Sequence, residues 1–230
     1  MKSKSKFYDR RVVYKPWGYE YTIYRNLNHL AVTFLKINHN QKTSLHCHPK
    51  KKTGFIVVDG KALIQLGLWE SSSEYYRAPS KLMIRTGLFH SIKAVSKKGV
   101  FALEFETPVN KKDLVRFKDS YGRETKPYEG KKFTKKIGRK FIKFKKPKLS
   151  KNQTYKMGKV LISLEVHKNF KNLINKKMST IFAILDGGIA DKYGHNILSY
   201  GDIIKTGTLN KLSEMFMIKK HLTVLRVSKL

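Results

Sequence analysis

The 230-residue sequence predicts an all-β protein of antiparallel strands in which one β-unit is duplicated. Three observations point there. Short stretches rich in β-branched and aromatic residues recur every 8–12 residues or so, the pattern of a sandwich or barrel. Apolar residues show little helical periodicity anywhere in the chain. Two segments also recur in the same order: Phe55-Ile-Val-Val-Asp-Gly60 matches Phe182-Ala-Ile-Leu-Asp-Gly187, and Ile84-Arg-Thr-Gly-Leu-Phe-His-Ser-Ile92 matches Ile204-Lys-Thr-Gly-Thr-Leu-Asn-Lys-Leu212.

Along the chain, residues 1–15 read as a basic, flexible lead-in. Lys15-Pro-Trp-Gly-Tyr-Glu20 is a turn feeding a strand from Tyr19 to Tyr24, and Leu30-Ala-Val-Thr-Phe-Leu-Lys-Ile37 is a second strand. Further strands are expected near 43–48, 54–58, 61–69, 74–77, 81–85, 90–95 and 100–106. The turn pairs Asp59-Gly60, Pro79-Ser80, Thr86-Gly87 and Lys98-Gly99 punctuate them. Between Gly130 and Leu164 there are 13 Lys or Arg residues and no Asp or Glu. This basic connector carries Phe133, Ile137, Phe141, Ile142 and Phe144, which should hold it against the body. The expected organisation is a first lobe over 1–110, a connector over 111–154 and a second lobe over 155–230.

Composition sets further bounds. With 40% hydrophobic residues the chain can build a real core, as one large or two small domains. No apolar run approaches the roughly 18 residues that cross a bilayer. The basic start, Met1 to Lys6, has no apolar segment after it and is a poor secretory signal. Cys47 is the only cysteine, which excludes an intramolecular disulfide and suits a cytoplasmic protein. The net charge is +33, from 49 Lys and Arg against 16 Asp and Glu, a field that attracts phosphates, nucleic acid or anionic membranes. The cations are spread along the chain, so a solvated lysine-rich surface is favoured over a nucleic-acid site. Polyanion binding by Lys131 to Lys159 is the alternative, weakened by the lack of an RNA-binding aromatic motif and of a helix for the major groove.

The chemistry concentrates in Thr43–Gly60. His46 and His48 stand at i and i+2, so on a strand both imidazoles point to one face. His90 follows the Thr86-Gly87 turn and is the third member. Three neutral imidazoles form a site for one divalent transition metal: Zn, Fe, Mn, Ni or Co. Glu104 and Glu106 share one face of Ala102–Glu106 and are candidates for an additional ligand or general base. Cys47 points away and is read as packing. His29, His39, His167, His195 and His221 are read as surface or structural. Under the repeat, His90 falls on Asn210, and His46 and His48 fall on Leu173 and Asn175, so the second lobe should hold no metal.

These motifs resemble the cupins. Asn40 stands where that family's first motif begins with Gly, His46, His48 and Gly60 match, and Thr53 occupies the position of the family Glu. Gly87 and His90 match the second motif, with Arg85 in place of Pro. The resemblance is closer to the cupin domain of type II phosphomannose isomerases. Lys15-Pro-Trp-Gly18, Ser44-Leu45, Asp113-Leu-Val-Arg116 and Asp119-Ser-Tyr-Gly-Arg123 all resemble segments of that branch. It implies a double-stranded β-helix (jelly-roll) barrel, here a bicupin with a degenerate second lobe. It also implies metal-dependent aldose–ketose isomerisation of a phosphorylated sugar or nucleotide sugar for surface polysaccharide synthesis, and dimerisation through sheet edges. Under that reading Arg116, Arg123, Lys51 and Lys52 bind substrate phosphate, and Thr53 lies near the metal. Trp17 and Tyr19 are read as core aromatics rather than sugar platforms. Two other functions fit the residues: a three-histidine iron oxygenase, and a non-catalytic polyanion- or sugar-binding cupin.

Overall fold

In the computed structural model residues 10–27, 29–123, 130–149 and 151–230 are described. Most of the basic lead-in, residues 1–9, lies outside them. In chain order the strands of the first half are β1 (Arg11–Lys15), β2 (Gly18–Asn26), β3 (Leu30–Ile37), β4 (Leu45–Cys47), β5 (Lys52–Asp59), β6 (Lys61–Leu66), β7 (Ser73–Arg77), β8 (Ser80–Ile84), β9 (His90–Ala94), β10 (Val100–Thr107) and β11 (Val115–Lys118). After them come β12 (Thr134–Lys136), β13 (Gln153–Met157), β14 (Val160–His167), β15 (Ile181–Ala190), β16 (Asn196–Leu198), β17 (Ile203–Lys205), a helix α1 (Thr206–Met215) and β18 (Met217–Lys229).

The strands form three antiparallel sheets. The first has the order β12-β1-β2-β3-β10-β5-β8, the second β11-β4-β9-β6-β7, and the third β13-β14-β18-β15-β16, with β17 also paired to β15. The first sheet is the middle layer. Leu35, Ile37, Phe55 and Val57 face the second sheet, with Ile64 and Ile92 across from them. Val32, Phe34, Ile56 and Leu103 face the third sheet, meeting Ile162, Ile181, Leu225 and Val227. A strand buried on both faces needs apolar residues at successive positions, which accounts for the unbroken runs in β3 and β5.

The Lys-Pro-Trp-Gly turn has a steric basis. Gly18 has φ +149°, and a Cβ there would lie 1.9 Å from the Lys36 carbonyl oxygen, so β1 and β2 can meet β3 only at glycine. The described part of the connector lies on the body. Ile142 and Phe144 are buried in the core, and Ile137 and Phe141 pack on it. Phe133 is the exception, exposed beside the Lys132 ammonium. Val115–Lys118, within the segment expected to be connector, pairs with Leu45–Cys47 and extends the second sheet.

The second unit repeats one sheet of the first. The order β13-β14-β18-β15-β17 corresponds to β2-β3-β10-β5-β8. The second sequence match holds through β17 and then ends. Where the first unit turns into β9, residues Thr206–Met215 form α1. Among the described residues no further sheet faces the third one. The unit is a single sheet capped by a helix and the segment around Leu173, rather than a closed second barrel. The helix escaped the sequence reading because only Thr206 and Leu209 are buried, too thin an apolar stripe to register. Asn175 and Asn210, which take the places of His48 and His90, are joined: the Asn175 backbone N–H donates to Asn210 Oδ1 at 3.2 Å.

Candidate metal centre and its cavity

Strand pairing assembles the three histidines. His46 on β4 lies directly opposite His90 on β9, and His48 follows two residues on. Their ring centroids are 4.5–5.4 Å apart, and one ligand nitrogen from each lies within 4.8 Å of the others. Each Nδ1 faces a backbone carbonyl: Ser44 at 2.8 Å for His46, Asp113 at 2.6 Å for His48 and Leu88 at 3.0 Å for His90. A carbonyl only accepts, so each Nδ1 carries the proton and each Nε2 presents a lone pair. Nε2 of His48 and of His90 is buried with no protein partner. Two orphaned, inward-facing lone pairs are expensive unless something binds them, and they fit a divalent transition metal.

The electrostatics agree. Burial, then the neighbouring His90 and His48, hold His46 well below the ordinary histidine range. Burial pushes His48 down to about 4, with Lys51 adding to it, and burial likewise pushes His90 to about 4. All three are therefore neutral at physiological pH, the form that binds a metal.

The histidines open into a cavity of about 100 Å³, also lined by Lys15, Trp17, Glu20, Lys51, Glu104, Glu106, Lys111, Arg116 and Arg123. The two carboxylates on β10 differ. Burial alone would raise Glu106, but Lys111 and Lys51, in contact with its two oxygens, hold it well below the ordinary carboxylate range. Burial, and then the charge of Glu106, push Glu104 up to about 8. One carboxylate is a fixed anion and the other a weak acid poised near neutrality.

The two segments that follow the first barrel are structural braces. Asp113 accepts from the backbone N–H of Lys50 at 3.0 Å and of Lys51 at 2.8 Å, while its own carbonyl holds His48. Asp119 holds Arg123 through Nη2 at 2.7 Å and Nε at 3.0 Å, and Arg116 donates to the Arg123 carbonyl at 3.1 Å. The Tyr121 hydroxyl sits 2.9 Å from Gln41 Oε1 and 3.0 Å from the Lys42 carbonyl, pinning this loop to the approach to β4.

The cavity thus gathers His46, His48, His90, Glu104, Glu106, Lys51, Arg116 and Arg123. Lys52 is placed elsewhere. Its neighbour Lys51 points inward, so Lys52 points to the opposite face of the strand and pairs with Asp202 of the second unit at 2.7 Å. Thr53 is buried on β5 with its hydroxyl unpartnered, on the strand face shared with Phe55. Trp17 is 5% exposed and packs in the barrel core, and it lines the cavity as well. Sequence reasoning missed Lys15, Glu20 and Lys111 as cavity residues. Each belongs to a segment whose approach to β10 is set only by tertiary folding. The other five histidines stand apart: His29 stacks on Tyr200, His39 meets the Ser96 carbonyl, and His167, His195 and His221 pair with Glu165, Asp191 and Asp186.

Two antiparallel sheets closed around inward-facing histidines define a cupin, a double-stranded β-helix. Residues 2–119, half of the chain, match the family model described as mannose-6-phosphate isomerase C-terminal, and the chain belongs to that family. No curated protein matches it in sequence. Similar solved structures include the capsular polysaccharide assembling protein CapF from Staphylococcus aureus, at 15% identity and TM-score 0.42, covering 47% of this chain and 34% of CapF. A Klebsiella pneumoniae protein with a double-stranded β-helix domain is 16% identical, with TM-score 0.37, covering 40% of this chain and 76% of its own. A sugar phosphate isomerase assigned in Acidithiobacillus ferrooxidans is 15% identical, with TM-score 0.33, covering 36% and 53%. The chain spans about a third of the length of CapF. No helix among the described residues is long and apolar enough to cross a membrane.

Proposed function

We propose that the protein is a metal-dependent isomerase of a phosphorylated sugar, acting in the cytoplasm on precursors of surface polysaccharide. The observation that carries this reading is the pairing of a near-neutral carboxyl, Glu104, with three neutral histidines in one cationic cavity. His46, His48 and His90 would hold the metal, which polarises the substrate carbonyl and adjacent hydroxyl when bound. Glu104 takes the proton from the carbon beside the carbonyl and returns it to the neighbouring carbon. A group with a pKa near the working pH can do both. Lys51 and Lys111 keep Glu106 ionised, so it stays a fixed charge and does not compete for the proton. Arg123, held in place by Asp119, Arg116, which donates to the Arg123 carbonyl, and Lys15 supply positive charge for the substrate phosphate.

The test is interconversion of mannose 6-phosphate and fructose 6-phosphate by metal-loaded protein, wild type beside Glu104→Gln. Wild type should turn over, and the variant should lose about a hundredfold or more in kcat while keeping its metal. A wild type that neither turns over nor binds any sugar phosphate removes the reading. Thr53 in place of the family Glu favours a second reading, since it leaves a cluster of three histidines without a carboxylate. Such a set in the Fe(II) form suits oxygen chemistry. Oxygen uptake by the Fe(II) protein with candidate small-molecule substrates separates the two.

A further inference from the structure

The second unit has a polar cavity on the sheet face that corresponds to the one facing the first unit's metal centre. In the first sheet Phe55 faces Glu104, which faces Thr33; in the third sheet Phe182 faces Arg226, which faces Ser163. Arg226 therefore stands in the place of Glu104, and Ser163 in that of Thr33. On β14 the residues Ile162 and Leu164 pack toward the first sheet, so Ser163, Glu165 and His167 point the other way.

Glu165 is 1% exposed, and its carboxylate is fully committed. Oε1 accepts from the Ser163 hydroxyl and from Arg226 Nη2, both at 2.7 Å, and Oε2 accepts from His167 Nε2 at 3.0 Å. One buried carboxylate thereby fixes a guanidinium and an imidazole side by side. Both line a cavity of about 530 Å³ with Lys168, Lys176, Asn169 and Asn172. Glu165 is the only acid among the described lining residues. A purely structural ion pair calls for neither the cavity nor the lysines around it.

We infer that this chamber is a second ligand site, for a phosphate monoester, independent of the metal centre. Three cations face one carboxylate that is already satisfied, an excess of two positive charges that matches a dianionic phosphate better than a monoanionic carboxylate. The Arg226 fork, held at one edge by Glu165, meets the phosphate oxygens, and the two asparagines offer amide groups to neighbouring hydroxyls.

The test is calorimetric titration of the full chain carrying His48→Ala, Arg116→Gln and Arg123→Gln, which removes a metal ligand and the two phosphate-binding arginines of the first site, with inorganic phosphate and with mannose 6-phosphate at ~0.15 M salt to screen diffuse attraction. Saturable one-site binding is expected, with unphosphorylated mannose silent. Adding Arg226→Gln should weaken it about tenfold or more. Because that change also strips Glu165 of its cation, Lys176→Gln is the companion variant. It should weaken binding about threefold with an unchanged melting temperature. Lys140→Gln removes the same charge outside the chamber and should change nothing. No binding in the parent, equal binding in the Arg226 and Lys176 variants, or an equal loss in the Lys140 variant would overturn the inference. Failure of the isomerase assay leaves it standing, since the first site is already disabled here.

Discussion

The His48 Nδ1–H donates to the carbonyl oxygen of Asp113 at 2.6 Å, across 65 residues of sequence. That bond decides which nitrogen of His48 faces the cavity. The Asp113 carboxylate meanwhile holds the backbone of Lys50 and Lys51, so one residue sets the ring and the loop that follows it.

His48→Ala should therefore abolish metal retention, while Asp113→Ala, which keeps the carbonyl that orients His48 and removes only the carboxylate that holds the Lys50 and Lys51 backbone, should weaken it less, by about tenfold at most. Metal content after gel filtration, measured for protein purified without chelator, checks both. Full metal in the His48 variant would mean that the histidine cluster is not the site.

Glu104 gives a pH signature in metal-free protein. Its folded pKa of about 8 lies above its ordinary value of 4.5, so between those limits the folded state binds the extra proton. Its contribution to stability is full below pH 4.5 and is lost as pH rises through about 8. Melting temperatures from pH 5 to 9 should fall more steeply for wild type than for Glu104→Gln, since the other titrating groups are common to both.

Lys51 is 2% exposed and paired with Glu106, which is 4% exposed. Replacing it with Met leaves part of the Glu106 charge uncompensated in the interior. A loss of about 3–5 kcal/mol in denaturant unfolding is expected. Changing the more exposed partner, Lys111, should do less.

Gly18→Ala places a Cβ 1.9 Å from the Lys36 carbonyl at a backbone angle that L-residues rarely adopt. Strain and overpacking together should lower stability by roughly 3 kcal/mol. Gly67, also at positive φ but with nothing within 4 Å, separates the two causes: alanine there carries only the backbone strain.

The sequence by itself determined the strand-rich character, the inward pair His46 and His48, and the equivalence of Phe55–Gly60 with Phe182–Gly187. These depend on local periodicity, which a chain carries in its own order. It also placed Glu104 and Glu106 on one face, but could not tell them apart. Their difference arises from Lys51 and Lys111 pairing directly with the oxygens of Glu106, a matter of how side chains from separate segments pack around β10. Tertiary structure likewise turned Lys52 away to Asp202, brought Lys15 and Glu20 into the cavity, and put a helix where the repeat suggested a strand. A backbone pattern fixes which side of its own strand a residue faces. Only the folded sheets decide what lies opposite, and it is the groups opposite that set charge, proton affinity and the direction of a ligand's lone pair.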